Sequence, residues 1–153
     1  MVDIDGVVAD VRHRLRFVQR KPKDWDAFFA AASEDPPLAD GISRVTALAG
    51  EHDIVFLTGR PERCRRQTEA WLTAAGIGGW PVVMRRNDDR RPARQTKLHE
   101  VRALAANAQV AIVLDDDPDV CASLTGAGYV VERADWMTRP DALHAAQEKE
   151  GRT

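Results

Sequence analysis

Cysteine is scarce in this chain: Cys64 and Cys121 stand far apart in no CxxC or CxH pattern, so neither a disulfide framework nor a zinc site is indicated. The four histidines, His13, His52, His99 and His144, are scattered without metal-ligand spacing and read as surface or cap residues. No apolar run approaches the length of a membrane span, and no basic region followed by a long apolar stretch opens the chain. The expected location is therefore cytoplasmic. A G-x-x-x-x-G-K-[ST] loop is missing, so no kinase activity is expected from this chain. Repeats, low-complexity tracts and linkers are also missing, which leaves residues 1–153 as one expected domain.

What is present is the composition of a soluble globular protein, 44% apolar and 30% charged. The net charge of −2 hides two basic segments. Arg12, His13, Arg14, Arg16, Arg20, Lys21 and Lys23 form one, and Arg85, Arg86, Arg90, Arg91, Arg94 and Lys97 form the other. Such segments supply a local positive field for an anionic substrate, although a solvated helix face accounts equally well for the first.

Periodicity predicts a basic helix over residues 10 to 21, with Val11, Leu15 and Val18 on one side and Pro22 interrupting it. Asp24 can cap a second helix whose stripe is Trp25, Phe28, Phe29 and Ala32, a packing stripe rather than a base-stacking surface. After the break at Asp35-Pro36-Pro37, a third helix runs from about Asp40 to Gly50. Apolar runs predict strands over 54–57, 81–84, 110–114 and 129–132. Helices are expected between them, ending at Gly76, near Asn107 and at Gly126 or Gly128, with a weakly anchored helical tail from Asp141. The alternation specifies an α/β domain with a mainly parallel sheet.

Chemistry-bearing residues fall where these strands end. Asp3 and Asp5 sit one residue apart, on one face of an extended segment, and Gly6 lets the chain turn. The pair alone is equally a polar turn or a magnesium site. Thr58-Gly59-Arg60 follows the second strand, residues 85–97 the third, and Asp115-Asp116 the fourth. In open α/β sheets ligands bind outside the carboxyl ends of the strands, so each strand delivers polar groups to one edge. Two adjacent buried carboxylates are costly without a partner, which favours a cation there. Asp117 reads as a helix cap.

Together, Asp3-x-Asp5-Gly6, Leu57-Thr58-Gly59-Arg60, Lys97 and Leu114-Asp115-Asp116 resemble the four motifs of the haloacid dehalogenase (HAD) superfamily in its phosphatase branch, over residues 2 to about 133. Val83-Met84-Arg85-Arg86, Asp89-x-Arg91 and Thr68-x-x-Trp71-Leu72 more narrowly resemble the phosphatase domain of phage-type polynucleotide kinase-phosphatases. The resemblance implies a three-layer Rossmann-like fold with a small helical cap insert at about residues 10–39. It makes Asp3 the nucleophile and Asp5 the general acid and base. Thr58 and neighbouring amides, including Gly59, would hold the phosphoryl group and Lys97 would neutralise charge. Arg60, Arg85 and Arg91 would bind substrate, since arginine matches phosphate bidentately, with a salt-bridge role as the alternative for Arg60 and Arg91. Mg²⁺ would be held by the Asp3 carboxylate, the Asp5 backbone carbonyl, and one or both of Asp115 and Asp116.

A small cap leaves the site open to bulky substrates such as nucleic acid ends, and with the basic segments this favours a polynucleotide 3′-phosphatase. A kinase or ligase would then be a partner on another chain. A phosphatase of free nucleotides or other small molecules, and a non-catalytic binding module on the same fold, are the alternatives. Only Met1 and Val2 precede Asp3, so either the first strand is very short or the natural chain begins upstream; a clipped strand would loosen the nucleophile. Pro92 and Ala93 occupy a stretch where the related pattern often carries a further acidic residue.

Overall fold

In the computed structural model, which describes residues 1–138 together with 141, 144 and 145, the central position of the sheet is held by the first three residues. The Val2 amide donates to Val55 O at 2.9 Å on one side, and the Asp3 amide donates to Leu114 O at 2.9 Å on the other. Return bonds run from Leu57 N to Val2 O (2.8 Å) and from Leu114 N to Met1 O (2.9 Å). Val2 thus bridges Phe56 and Leu114, both in parallel. Strand β1 (Phe56–Pro61) pairs in parallel with β2 (Val82–Arg85), and β3 (Val113–Asp115) with β4 (Val131–Arg133). Across the sheet the order is β2, β1, residues 1–3, β3, β4. The segment before Asp3 is bonded on both flanks rather than loose.

Alternate residues of these segments face opposite helical layers. Val2, Phe56 and Leu114 pack with Val45 and Leu48 of α3 (Ala39–Ala49) and with Trp71 and Leu72 of α4 (Arg65–Ala74). Met1, Leu57 and Val113 pack with Ala93 and Val101 of α5 (Ala93–Ala105) and with Val120 and Leu124 of α6 (Pro118–Gly126). Burial on both faces is why the strands read as continuous apolar runs. The outcome is the three-layer α/β arrangement expected of a HAD-like fold.

The insert packs as a third cluster. Val11, Leu15 and Val18 meet Phe28 and Phe29 of α2 (Trp25–Ala30), closed by Cys64 and Met84 from the main domain. Asp24 caps α2 by accepting from Ala27 N at 2.9 Å, as its position predicted. The single helix expected over 10–21 is instead a 3-10 turn at Arg12–Arg14 followed by α1 (Arg16–Gln19). Bonds from Arg14 N to Val11 O (3.2 Å) and from Leu15 N to Arg12 O (3.3 Å) span three residues rather than four. The tightened turn carries Arg14 inward to 0% exposure, so the solvated-face reading of the first basic segment fails at this residue.

Pairing partners, not apolar character, set the strand limits. The second strand runs over 56–61 rather than 54–57, because its register with β2 continues through Thr58 and then slips at Pro61. Thr58, Gly59 and Arg60 therefore lie in the strand. The ladder at β3 starts only where Val113 N reaches Val130 O (2.9 Å), which shortens the expected 110–114 and moves the last strand to 131–133. The predicted tail from Asp141 lies almost wholly outside the described residues.

Candidate active site

The first strand lies between β1 and β3, so the chain crosses over in both directions from it. Its carboxyl end is the switch point where an open sheet leaves a crevice. Asp3 ends this segment, Asp115 ends β3, Thr58 and Arg60 come from β1, and α5 brings Lys97 across. Beyond Asp3 the chain reverses at once. Gly6 takes φ +85°, and Val8 N and Ala9 N both donate to Ile4 O at 2.9 Å. Helix α3 rests directly on this turn, since a β-carbon on Gly41 would lie 1.8 Å from Val7 O.

Asp3, Asp115 and Asp116 each offer a carboxylate oxygen within 4.8 Å of the others, and all three are buried. The Lys97 ammonium lies 2.7 Å from Asp3 Oδ2 and donates to Asp115 Oδ2 at 2.5 Å. Asp115 Oδ1 accepts from Asp117 N at 3.0 Å, while Asp117 caps α6 by accepting from Asp119 N and Val120 N. Burial pushes Asp3 up to about 8; Lys97 opposes this, while Asp115 and Asp116 add to it. Burial alone would lower Lys97, but Asp115 and Asp3 outweigh it and hold the ammonium charged. Three carboxylates against one ammonium leave net negative charge in a dry site, which a divalent cation would balance. An all-oxygen donor set suits Mg²⁺. A β-carbon on Gly6 would meet Asp116 Oδ2 at 2.3 Å, so the turn leaves room for that carboxylate in the cluster.

Asp5, two residues on, lies in a different electrostatic setting. Its Oδ1 accepts from Arg14 Nη2 at 2.8 Å, Arg60 Nε at 2.9 Å and Arg60 Nη2 at 2.6 Å. Both arginines also donate to Asp35 Oδ2, Arg14 at 2.8 Å and Arg60 at 2.7 Å. Arg14 Nε donates to Asp35 Oδ1 at 2.8 Å, and His13 Nε2 lies 2.7 Å from the same oxygen. All four side chains of this quartet are buried, two cations facing two anions. Burial would raise Asp5, but Arg14 and Arg60 overcome it and hold the carboxyl well below the usual carboxylate range. Asp35 is pushed upward by burial despite Arg14. Arg14 stacks over the Phe28 ring, 4.3 Å from its centroid.

Sequence reasoning identified Asp5 and Arg60 but passed over Arg14 and Asp35. Arg14 left one trace: it shares the helical face of Val11, Leu15 and Val18, an odd place for a charge unless it is paired. Asp35 left none. Thr58 is buried in β1, where its Oγ1 accepts from Arg60 N at 3.2 Å instead of capping the next helix. Arg85 is buried and donates to Arg91 O at 2.8 Å, whereas Arg91 is more exposed and pairs with Asp89 at 2.7 Å. A cavity of about 420 Å³ opens among Val2, His52, Asp53 and Ile112, at the opposite edge of the sheet, and includes none of these site residues.

The arrangement can hold a metal beside one carboxylate and pin a second within reach of the same crevice. Solved structures of a Pnkp1/Rnl/Hen1 complex and of the Pnkp1/Rnl/Hen1 RNA repair complex contain chains of similar fold. The TM-scores are 0.70 and 0.66 at 19% and 18% identity, covering 90% and 86% of this chain. The chain spans 45% and 40% of those longer chains. Among curated proteins, no sequence matches it. Over residues 1–133 it matches the model of the polynucleotide kinase PNKP phosphatase domain, and the chain belongs to that family of HAD phosphatases.

Proposed function

We propose that this phosphatase is a Mg²⁺-dependent phosphomonoesterase that removes 3′-phosphates from nucleic acid ends through an aspartyl-phosphate, within one domain over 1–153. The observation that carries this reading is the split between Asp3 and Asp5: one lies in a carboxylate–lysine cluster and the other under two arginines. Neighbouring carboxylates driven apart by their surroundings are suited to different tasks.

In the proposed cycle an Asp3 carboxylate oxygen attacks phosphorus and the bond from phosphorus to the sugar oxygen breaks. Asp5 gives that oxygen its proton. Water then attacks the same phosphorus, Asp5 takes the water proton, and phosphate leaves as the Asp3 carboxylate is restored. The carboxylates of Asp3, Asp115 and Asp116 and the Asp5 carbonyl would hold Mg²⁺. The ion would offset charge between an anionic nucleophile and an anionic ester. Lys97 keeps its ammonium beside Asp3 and neutralises charge there.

Thr58, Gly59, Arg60, Arg85 and Arg91 make up the proposed phosphate-binding set. Arg14 Nη1 and Arg60 Nη1 are buried with no hydrogen-bond acceptor among the described residues, which leaves each a donor for a phosphate oxygen. The same contact answers the depressed Asp5 value: an arriving phosphate draws on these arginines and raises Asp5 toward the protonated form that the first step needs.

Because the similar folds sit in assemblies with other chains, a kinase or ligase partner is part of this proposal. So is a cytoplasmic location; no helix among the described residues is long and apolar enough to cross a membrane. Phosphate release should be compared on oligonucleotides with 3′- or 5′-phosphates, mononucleotides and sugar phosphates. The 3′-phosphorylated oligonucleotide should be preferred, and Asp3→Asn should lower release by roughly 10³-fold or more, as loss of a nucleophile does. Retained turnover in Asp3→Asn would remove Asp3 from its role, and a preference for mononucleotides would make the protein a nucleotidase.

A further inference from the structure

Asp35 carries more hydrogen-bonding contacts than the carboxylate it accompanies. Oδ1 receives Arg14 Nε and faces His13, while Oδ2 receives Nη2 of both Arg14 and Arg60. Its backbone carbonyl accepts from Trp71 Nε1 at 2.8 Å, which ties the exit of the insert to α4. On Asp5, by contrast, all three arginine bonds land on Oδ1, and none of the described ones reaches Oδ2.

The geometry points to Asp35 as a positioning residue for the acid–base step: it draws the two guanidinium groups sideways so that they pin Asp5 by one oxygen and leave the other available for proton transfer. This rests on the function proposed above. A guanidinium prefers to meet a carboxylate with two parallel bonds. Two of them facing a lone buried carboxylate would engage both of its oxygens and compete for the lone pair that must carry the proton. Asp35 supplies the second acceptor that prevents this, and it balances a buried charge that Asp5 alone would leave in excess. Asp35 touches no reacting atom in this scheme; it acts through Arg14 and Arg60. The insert, whose entry bears Arg14 and whose exit bears Asp35, is thereby part of the catalytic frame.

A purely structural tether would slow formation of the aspartyl-phosphate from every ester alike, whereas in that first step a device for proton transfer matters only when the leaving oxygen needs a proton. The later hydrolysis, in which Asp5 takes the water proton, is common to all esters. The test compares Asp35→Asn with the unaltered protein on a 3′-phosphorylated oligonucleotide, whose leaving group is an alkoxide, and on 4-nitrophenyl phosphate, whose phenolate departs unaided. We expect kcat/KM on the oligonucleotide, which reports the steps up to leaving-group departure, to fall about 10²-fold, the scale of a general acid's contribution. On the aryl ester kcat/KM should fall less than about threefold. Equal falls on the two esters, or no fall on either, would overturn the assignment. If Asp35→Asn does not fold, Trp71→Phe, which frees the Asp35 backbone while keeping a ring beside Arg60, should show the same leaving-group split on a smaller scale. Equal effects there would overturn it too. An unaltered protein inactive on both esters would overturn the proposed function and this inference together; an active one with no split would overturn this inference alone.

Discussion

Gly6 lies against the Asp116 carboxylate so closely that a single methyl group on Gly6 would sit 2.3 Å from Asp116 Oδ2. The glycine also occupies φ +85°, where an L side chain is disfavoured by roughly 1–2 kcal/mol. Gly6→Ala should therefore displace Asp116 and strain the turn carrying Asp5. The expected result is weaker Mg²⁺ binding by about tenfold or more and a matching loss of phosphate release, read by titrating Mg²⁺ in the activity assay. Unchanged Mg²⁺ dependence would mean that Asp116 is not a metal ligand.

Metal binding can also be read without activity. An ion that binds only the folded state stabilises it by about 2.7 kcal/mol at a hundred times its Kd. Mg²⁺ should raise Tm, and Asp116→Asn should remove most of that rise. Since Asp3, Asp115 and Asp116 crowd together, the variant without Mg²⁺ should be as stable as the unaltered protein or more so. A Mg²⁺ response that survives in Asp116→Asn would place the ion elsewhere.

The buried quartet makes a second stability prediction. Arg14→Met leaves Asp5 with Arg60 alone and Asp35 with Arg60 and His13, and breaking a buried ionic network from one side costs about 3–5 kcal/mol. Arg86→Met, which removes an exposed pair with Asp88, should leave the urea midpoint where it was. Equal, small effects from the two changes would show that the quartet contributes no more than a surface contact.

Acid should expose Asp5. Its folded-state value is depressed by Arg14 and Arg60 against the pull of burial. Its contribution is therefore present above the unfolded value of about 3.9 and lost as pH falls through the lower folded value. Asp35, raised by burial, has the opposite sign: its contribution is full below the unfolded value and fades as pH rises through the folded one. Urea midpoints between about pH 6 and 2 should fall less steeply in Asp5→Asn than in the unaltered protein, because the acid limb loses one of its sources. Identical slopes would assign acid sensitivity to other carboxylates.

Much of the domain was legible along the chain because its information is local. Apolar runs mark strands that are buried on both faces, and polar residues directly after them mark the sheet edge where a crevice must form. Asp3, Asp5, Thr58, Arg60 and the Asp115–Asp116 pair could be read in this way, and Lys97 by its place in their order. Helix α2 with its Asp24 cap was legible for the same reason.

Only the tertiary structure decided what holds Asp5. Its partners Arg14 and Arg60 lie 9 and 55 residues away, and Asp35 lies 21 residues from one and 25 from the other. No periodicity links such positions, so a segment that reads as a solvated basic helix turns one arginine inward to balance charge. Likewise, Gly6 announces a turn by itself, but the carboxylate pressed against it comes from the residue after β3, far along the chain. Sequence by itself determined which residues could do chemistry, because residue type and strand ends are local properties. Folding alone determined which charges meet, because the cost of burying a charge is met by whichever counter-charge the packed chain brings within reach.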